Sequence, residues 1–207
     1  MRLLKSLESL ASSHLTLQRY SKLQERFISD LLISITNILE MYDTYTSGHS
    51  TNVAETSTII ARKMGLSKSE IDDIFWASMV HDIGKLLIPL SIINKKDKLT
   101  DSEYELVKKH PIWGYMALIK SEFLIHIPEY VLYHHERWDG TGYPYGLKGE
   151  EIPLAAQIIA VADAYDAMTS DRAYRDSMSH EKAIKEIKEN RGTQFSPKVV
   201  DVFINFK

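Results

Sequence analysis

The chain has 207 residues, 44% of them hydrophobic, a formal net charge of -3 and no cysteine. That length supports one substantial core and leaves little for a second domain. Without a basic surplus, a grip on a nucleic-acid polymer is not expected. Without thiols, any metal must be held by nitrogen and oxygen.

The opening MRLLKSLESLASSHL never runs more than two apolar residues before a polar one, unlike a signal peptide. No stretch approaches the ~20 apolar residues of a membrane span. A soluble, cytoplasmic chain is expected. No sensory or receiver domain is recognisable, so the chain acts alone, is a fragment, or takes its input from a partner.

The patterning predicts an all-α protein, with helices near 3–18, 22–45, 50–64, 68–82, 101–109, 111–121, 128–137, 153–169, 179–190 and 197–206. The first forty residues carry a heptad-like stripe of Leu3, Leu7, Leu10, Leu17, Ile28, Leu31, Ile35 and Ile38, interrupted by His14, Ser21 and Gln24. It suits either amphipathic helices packed on the core or a signalling or dimerisation helix. Ser67 with Glu70, and Thr100 with Glu103, have capping-box spacing. Ile71, Ile74, Phe75 and Met79 mark a buried helical face. Pro111, Pro153 and Pro197 each precede a helical run, where a missing N–H costs little. Two irregular segments remain, 84–99 and 138–152, and the second contains four of the nine glycines. Loops of that length are more often functional than idle.

The placement of the eight histidines matters more than their number. His81 and Asp82 are adjacent at the end of an apolar helix, and His134 and His135 form a second adjacent pair. Neighbours on a helix diverge by about 100°, so one can bind a metal terminally while the other reaches a second. His49 follows a Tyr-Thr-Ser-Gly turn, His110 closes a helix before Pro111, and Asp163 lies on the small-residue helix AAQIIAVADAYDAMTS. A lone histidine is more often a satisfied polar group. Two pairs plus an aspartate favour an imidazole–carboxylate centre for iron, manganese or zinc over calcium or magnesium. His14, His126 and His180 lack such company and read as ordinary polar residues. Glu136 and Asp139 suit either of two roles, orienting metal-bound histidines or capping the loop, and the first is the favoured expectation.

The segments YTSGHS (45–50), HDIGK (81–85), KHPIWG (109–114), HHERWDGTGYP (134–144) and DAYDAMTSDRAYR (163–175) resemble, in order, the motifs of the HD-GYP family of HD-domain phosphohydrolases. The resemblance covers roughly residues 28–207, leaving 1–27 as an N-terminal helical extension or signalling linker. It implies an HD-domain-like helical bundle that hydrolyses cyclic di-GMP to the linear dinucleotide pGpG, with GMP as the alternative end product. The implied metal ligands are His49, His81, Asp82, His110, His134, His135 and Asp163, with Asp82 bridging.

By the same resemblance, Lys85 is implied near the scissile phosphate, with Tyr143, Arg172 and Arg175 meeting the substrate's phosphates and bases. Some family members hold a third metal through an acidic residue one turn before the first histidine. Tyr45 occupies that position, so two divalent ions, iron or manganese, are expected. Two metals about 3.5–4 Å apart would activate a bridging hydroxide for in-line attack. Lys85 would stabilise negative charge or protonate the leaving group. Arg172 and Arg175, three apart, can face one side and hold phosphate bidentately or stack on a purine. Expected partners are cyclic di-GMP, a signalling protein docking on the GYP loop or the N-terminal helix, and a second copy in a homodimer. The rival readings are a catalytically weak sensing and interaction module, and a phosphohydrolase of another nucleotide. The complete ligand set argues against the first and the intact GYP loop against the second.

Overall fold

The structure, a computed structural model, describes residues 2–42, 48–170 and 177–206. Its helices in chain order are α1 (Arg2–Tyr42), α2 (His49–Lys63), α3 (Lys68–Val80), α4 (Leu90–Ile93), α5 (Asp101–Val107) and α6 (His110–Leu118). Then follow α7 (Ile127–Tyr133), α8 (Leu154–Thr169), α9 (His180–Glu189) and α10 (Pro197–Ile204). Two 3₁₀ turns cover Ile83–Leu87 and Gly149–Glu151. Among the described residues there is no strand, only the isolated bridges Asp139–Lys148 and Arg191–Phe195. The protein is all-α, as its patterning predicts.

The chain divides into two units, Met1–Ile35 and Thr36–Lys207. In the first, the expected break between residues 18 and 22 does not occur, and α1 runs unbroken for 41 residues. Arg19, Tyr20 and Ser21 have ordinary helix propensities, and α1 contains neither glycine nor proline to stop it.

The second unit begins with the last turns of α1. There the Thr36 hydroxyl donates to the Met79 carbonyl at 3.0 Å and the Tyr42 hydroxyl to that of Ile88 at 2.7 Å. Both expected capping boxes form, Ser67 with Glu70 and Thr100 with Glu103. Of the expected α3 face, Ile74 and Met79 are buried while Ile71 and Phe75 are half-buried. Segment 84–99, expected to be irregular, winds into the first 3₁₀ turn and α4.

The core joins α2, α3, α8, α9 and α10 through Ile60, Ile74, Ile158, Val161, Ile187 and Phe203. Alanines on α8 (Ala155, Ala156 and Ala162) are buried and allow close packing. Around the first 3₁₀ turn the approach is closer still. A Cβ on Gly84 would overlap the His110 carbonyl oxygen and lie 2.7 Å from the Gly114 nitrogen. A glycine in HDIGK therefore fixes α6, and with it His110, directly against His81 and Asp82. No helix among the described residues is long and apolar enough to cross a membrane.

Candidate metal centre

Three of the histidines are set by one local device. The Nδ1–H groups of His81, His110 and His134 donate to the carbonyls three residues back, those of Ser78 (2.7 Å), Val107 (2.8 Å) and Val131 (2.6 Å). Those carbonyls lie at helix C-termini, where backbone acceptors lack an intrahelical partner. Each bond fixes the tautomer, leaving Nε2 as a bare acceptor aimed inward. All three rings are buried. His110 opens α6 rather than closing the preceding helix, since α5 ends at Val107.

His49, the first residue of α2, is fixed from its other side. Its Nδ1 lies 2.6 Å from Asp166 Oδ2, and Asn52 Nδ2 donates to Asp166 Oδ1 at 2.9 Å. Asp166 is buried one turn beyond Asp163 on α8 and was not singled out by sequence reasoning. Its signal was the second aspartate of DAYDAM, one helical turn after the first. Glu40 seats the start of α2, accepting from the amides of Gly48 (2.8 Å) and Ser50 (3.1 Å).

The seven expected ligands gather into two clusters. Asp82, His110, His134 and His135 form one, and His49, His81 and Asp163 the other; within each, ligand atoms lie within 4.8 Å of one another. Asp82 joins them, with Oδ1 3.2 Å from His110 Nε2 and Oδ2 3.4 Å from His81 Nε2. Asp163 Oδ1 lies 3.3 Å from His49 Nε2.

This donor set fits metal cations. The Nε2 atoms of His110 and His134 face each other at 3.4 Å, yet both rings carry their proton on the far nitrogen. Two lone pairs in that position call for a cation between them. The buried Nε2 of His81 has no hydrogen-bond partner, which is costly unless a metal takes the lone pair.

The electrostatics are those of a site prepared for positive charge. Burial and the neighbouring imidazoles hold His134 well below the usual histidine range, and burial with His110 lowers His135 to about 3. Both stay neutral and ready to ligate. Burial alone would raise the Asp82 carboxyl, but Lys85 and His81 hold it far below its usual range. Asp163 is likewise kept ionised despite burial, by His49. Burial would lower His49, but hydrogen bonds to Asp163 and Asp166 raise it to about 9.

Lys85 Nζ lies 2.6 Å from Asp82 Oδ2. The Tyr143 ring is 4.9 Å from that of His135. A cleft of about 380 Å³ opens beside His135 and Asp163, walled by Tyr104, Arg137, Tyr143 and Gln194. Its floor is metal-site residues and its rim aromatic and polar, the composition of a small-molecule site. Arg172, Arg175 and Tyr45 lie outside the described residues.

Glu136 and Asp139 do not orient histidines. The Glu136 carboxylate accepts from the amides of Tyr145 (2.7 Å), Gly146 (3.1 Å) and Leu147 (3.1 Å), stapling the glycine-rich loop. Asp139 accepts from the Thr141 amide and hydroxyl and from Arg137. Burial by itself would raise the Asp139 carboxyl, but these bonds together hold it at about 2. Neither cluster includes His14, His126 or His180: His14 bonds Gln18, His126 stacks on Tyr130 and His180 bonds the Tyr165 hydroxyl.

A family model described as HD domain matches residues 34–199. A cyclic di-GMP phosphodiesterase of Thermotoga maritima is 40% identical over 185 residues, 88% of this chain and 50% of its own length. The 3'3'-cGAMP-specific phosphodiesterase 2 of Vibrio cholerae is 36% identical over 177 residues, 84% of this chain and 34% of its own length. The crystal structure of a cyclic GMP-AMP-specific phosphodiesterase of V. cholerae matches with a TM-score of 0.65 at 21% identity, a likeness of fold. It covers 86% of this chain and 48% of that one. The chain thus spans about half or less of the curated relatives it matches. It belongs to the HD domain family, in its HD-GYP branch.

Proposed function

We propose that the chain is a metal-dependent phosphodiesterase that hydrolyses cyclic di-GMP to linear pGpG, and on to GMP. The observation that carries this reading is the pair of ligand clusters joined through Asp82 beside the cleft. The similarity to phosphodiesterases of cyclic dinucleotides supports it.

Two divalent ions, iron or manganese, would be held by His49, His81 and Asp163 on one side and by His110, His134 and His135 on the other, with Asp82 shared. Bound there, they would supply Lewis acidity, neutralising the phosphodiester and making water a nucleophile near neutral pH. Lys85, already within reach of Asp82, directs its ammonium at the scissile phosphate. It stabilises charge there or gives its proton to the leaving 3' oxygen as the P–O bond breaks and the water oxygen bonds to phosphorus. Tyr143 offers its ring to a guanine or its hydroxyl to a phosphate. Burial pushes that hydroxyl up, so it remains a hydrogen-bond donor. Arg172 and Arg175 complete the grip on phosphates and bases.

Purified protein, loaded anaerobically with iron(II) or manganese(II), is assayed on cyclic di-GMP, 3'3'-cGAMP and pGpG against a metal-free control. Metal-dependent formation of pGpG from cyclic di-GMP is expected. Preferential turnover of 3'3'-cGAMP would reassign the substrate, and no turnover with metal bound would overturn the enzyme reading.

A further inference from the structure

From Leu10 to Phe27 every described side chain of the Met1–Ile35 unit is exposed. An unaccompanied helix in water is marginal and takes its stability from packing of an apolar face. The exposed large apolar residues are not scattered. Leu10, Leu17 and Leu31 recur at intervals of seven, with Gln24 in the intervening place. Three residues after each stand Ser13, Tyr20, Phe27 and Ser34. This is the alternating three-and-four spacing of a coiled-coil seam, and it continues in sequence at Ile38 and Met41. Leu15 and Ile33 fall outside the seam and Leu23 on its flank.

We propose that residues 10–34 form a parallel, in-register two-stranded coiled coil with a second copy of this chain. The placement of the polar seam residues selects partner and direction. Parallel pairing sets Gln24 against Gln24, where the amides hydrogen-bond reciprocally, and each serine against its counterpart. An antiparallel pairing over the same length sets Gln24 against the aromatic ring of Tyr20 or Phe27 and not against a second amide, so the reciprocal amide pair is lost. A buried amide in the seam that fixes register at some expense of stability is an established use of such a group, and here Gln24 lies between the smaller Ser13 and Ser34.

The flanking positions His14, Thr16, Ser21, Leu23 and Asp30 present no like-charged pair across the seam. Leu10, Leu17, Tyr20, Phe27 and Leu31 are 68%, 68%, 63%, 62% and 47% exposed. Covering them together with Leu23 removes roughly 500 Å² per chain from water, so two copies reach the ~1,000 Å² expected of a specific interface. The interface is independent of the catalytic reading, because mass and cross-linking alone decide it.

Sedimentation of the whole chain at about 50 µM tests it. The expected mass is twice the 23.7 kDa of one chain, falling to the single-chain value in the Leu17→Glu, Phe27→Glu double variant. Because the chain has no cysteine, direction is read from single introduced thiols. Oxidised Ser13→Cys, in the seam, is expected to run as a covalent dimer, and Ser12→Cys, on the outer face, as a monomer. A monomeric parent chain, or a double variant that stays dimeric, would overturn the seam. Equal cross-linking of the two cysteine variants, or none in a dimeric Ser13→Cys, would overturn the parallel register.

Discussion

His110 and His134 point their Nε2 atoms at each other across 3.4 Å, while each donates its Nδ1 proton to a helix-end carbonyl. Each ring's Nδ1 proton is committed to its carbonyl, and burial keeps His134 neutral. Replacing His134 by Ala removes one wall of this arrangement and relieves the facing lone pairs. The variant is expected to keep its helical circular dichroism, to lose about half its bound metal by elemental analysis, and to lose turnover. Undiminished metal content would show that the facing pair serves another end.

Asp166 acts through His49. Asp166→Asn retains the size of the side chain but removes the carboxylate that fixes the ring at 2.6 Å. Loss of such an orienting carboxylate typically weakens metal affinity 10–100-fold. Competition with a chelator is expected to show a shift in that range, and the metal-free protein to lose stability below about pH 9 as well, because Asp166 helps to hold the His49 proton.

Stability of the metal-free protein is expected to peak near pH 6.5. His135 falls to about 3 in the fold, below its unfolded value of 6.5, so its contribution is complete above 6.5 and drains away on acidification towards 3. His49 moves the other way, to about 9, so its contribution is complete below 6.5 and is lost as pH rises through 9. Thermal melts in chelator across pH 5–9 are expected to fall by several degrees on either side. Metal uptake must also expel the His49 proton below about pH 9, so affinity is expected to rise with pH. A monotonic stability profile would contradict the assigned environments.

Much of this site is legible in the sequence because its ligands advertise themselves in pairs. His81–Asp82 and His134–His135 are adjacent, and the start of the helix that leads to the first pair is marked by the capping box of Ser67 with Glu70. What escaped was decided by distance along the chain. Asp166 meets His49 across 117 positions, and no local pattern announces that contact. Glu136 sits beside two ligands, which made a role on histidine the natural expectation. Its partners are instead backbone amides nine to eleven residues downstream, brought back by the loop's own turn. The continuity of α1 was missed because polar Ser21 and Gln24 interrupt an apolar stripe, and an interrupted stripe is not an interrupted helix.

The loop assignment of Glu136 carries its own expectation. Glu136→Ala leaves three amides without their acceptor, at roughly 1–3 kcal/mol for each that stays buried. Faster hydrogen exchange confined to residues 138–152 is expected, together with a raised KM, because the same loop presents Tyr143 to the cleft. Faster exchange spread over α2 and α8 instead would mean that the carboxylate supports the core.

Gly84 has no room for a methyl group against the His110 carbonyl. Gly84→Ala is expected to cost about 1–3 kcal/mol of stability and to lower metal affinity by displacing α6. Wild-type melting with wild-type metal content would show that α6 can yield without consequence.

In the proposed enzyme Asp82 is the bridge that joins two metal positions into one centre. That bridge is tested most directly by titrating metal-free protein anaerobically with manganese(II), following stoichiometry and electron paramagnetic resonance together, in the parent chain and in Asp82→Ala. About two ions per chain with an exchange-coupled signal are expected in the parent, and loss of that coupling with the aspartate. One ion per chain, or two that remain magnetically independent in the parent, would contradict it.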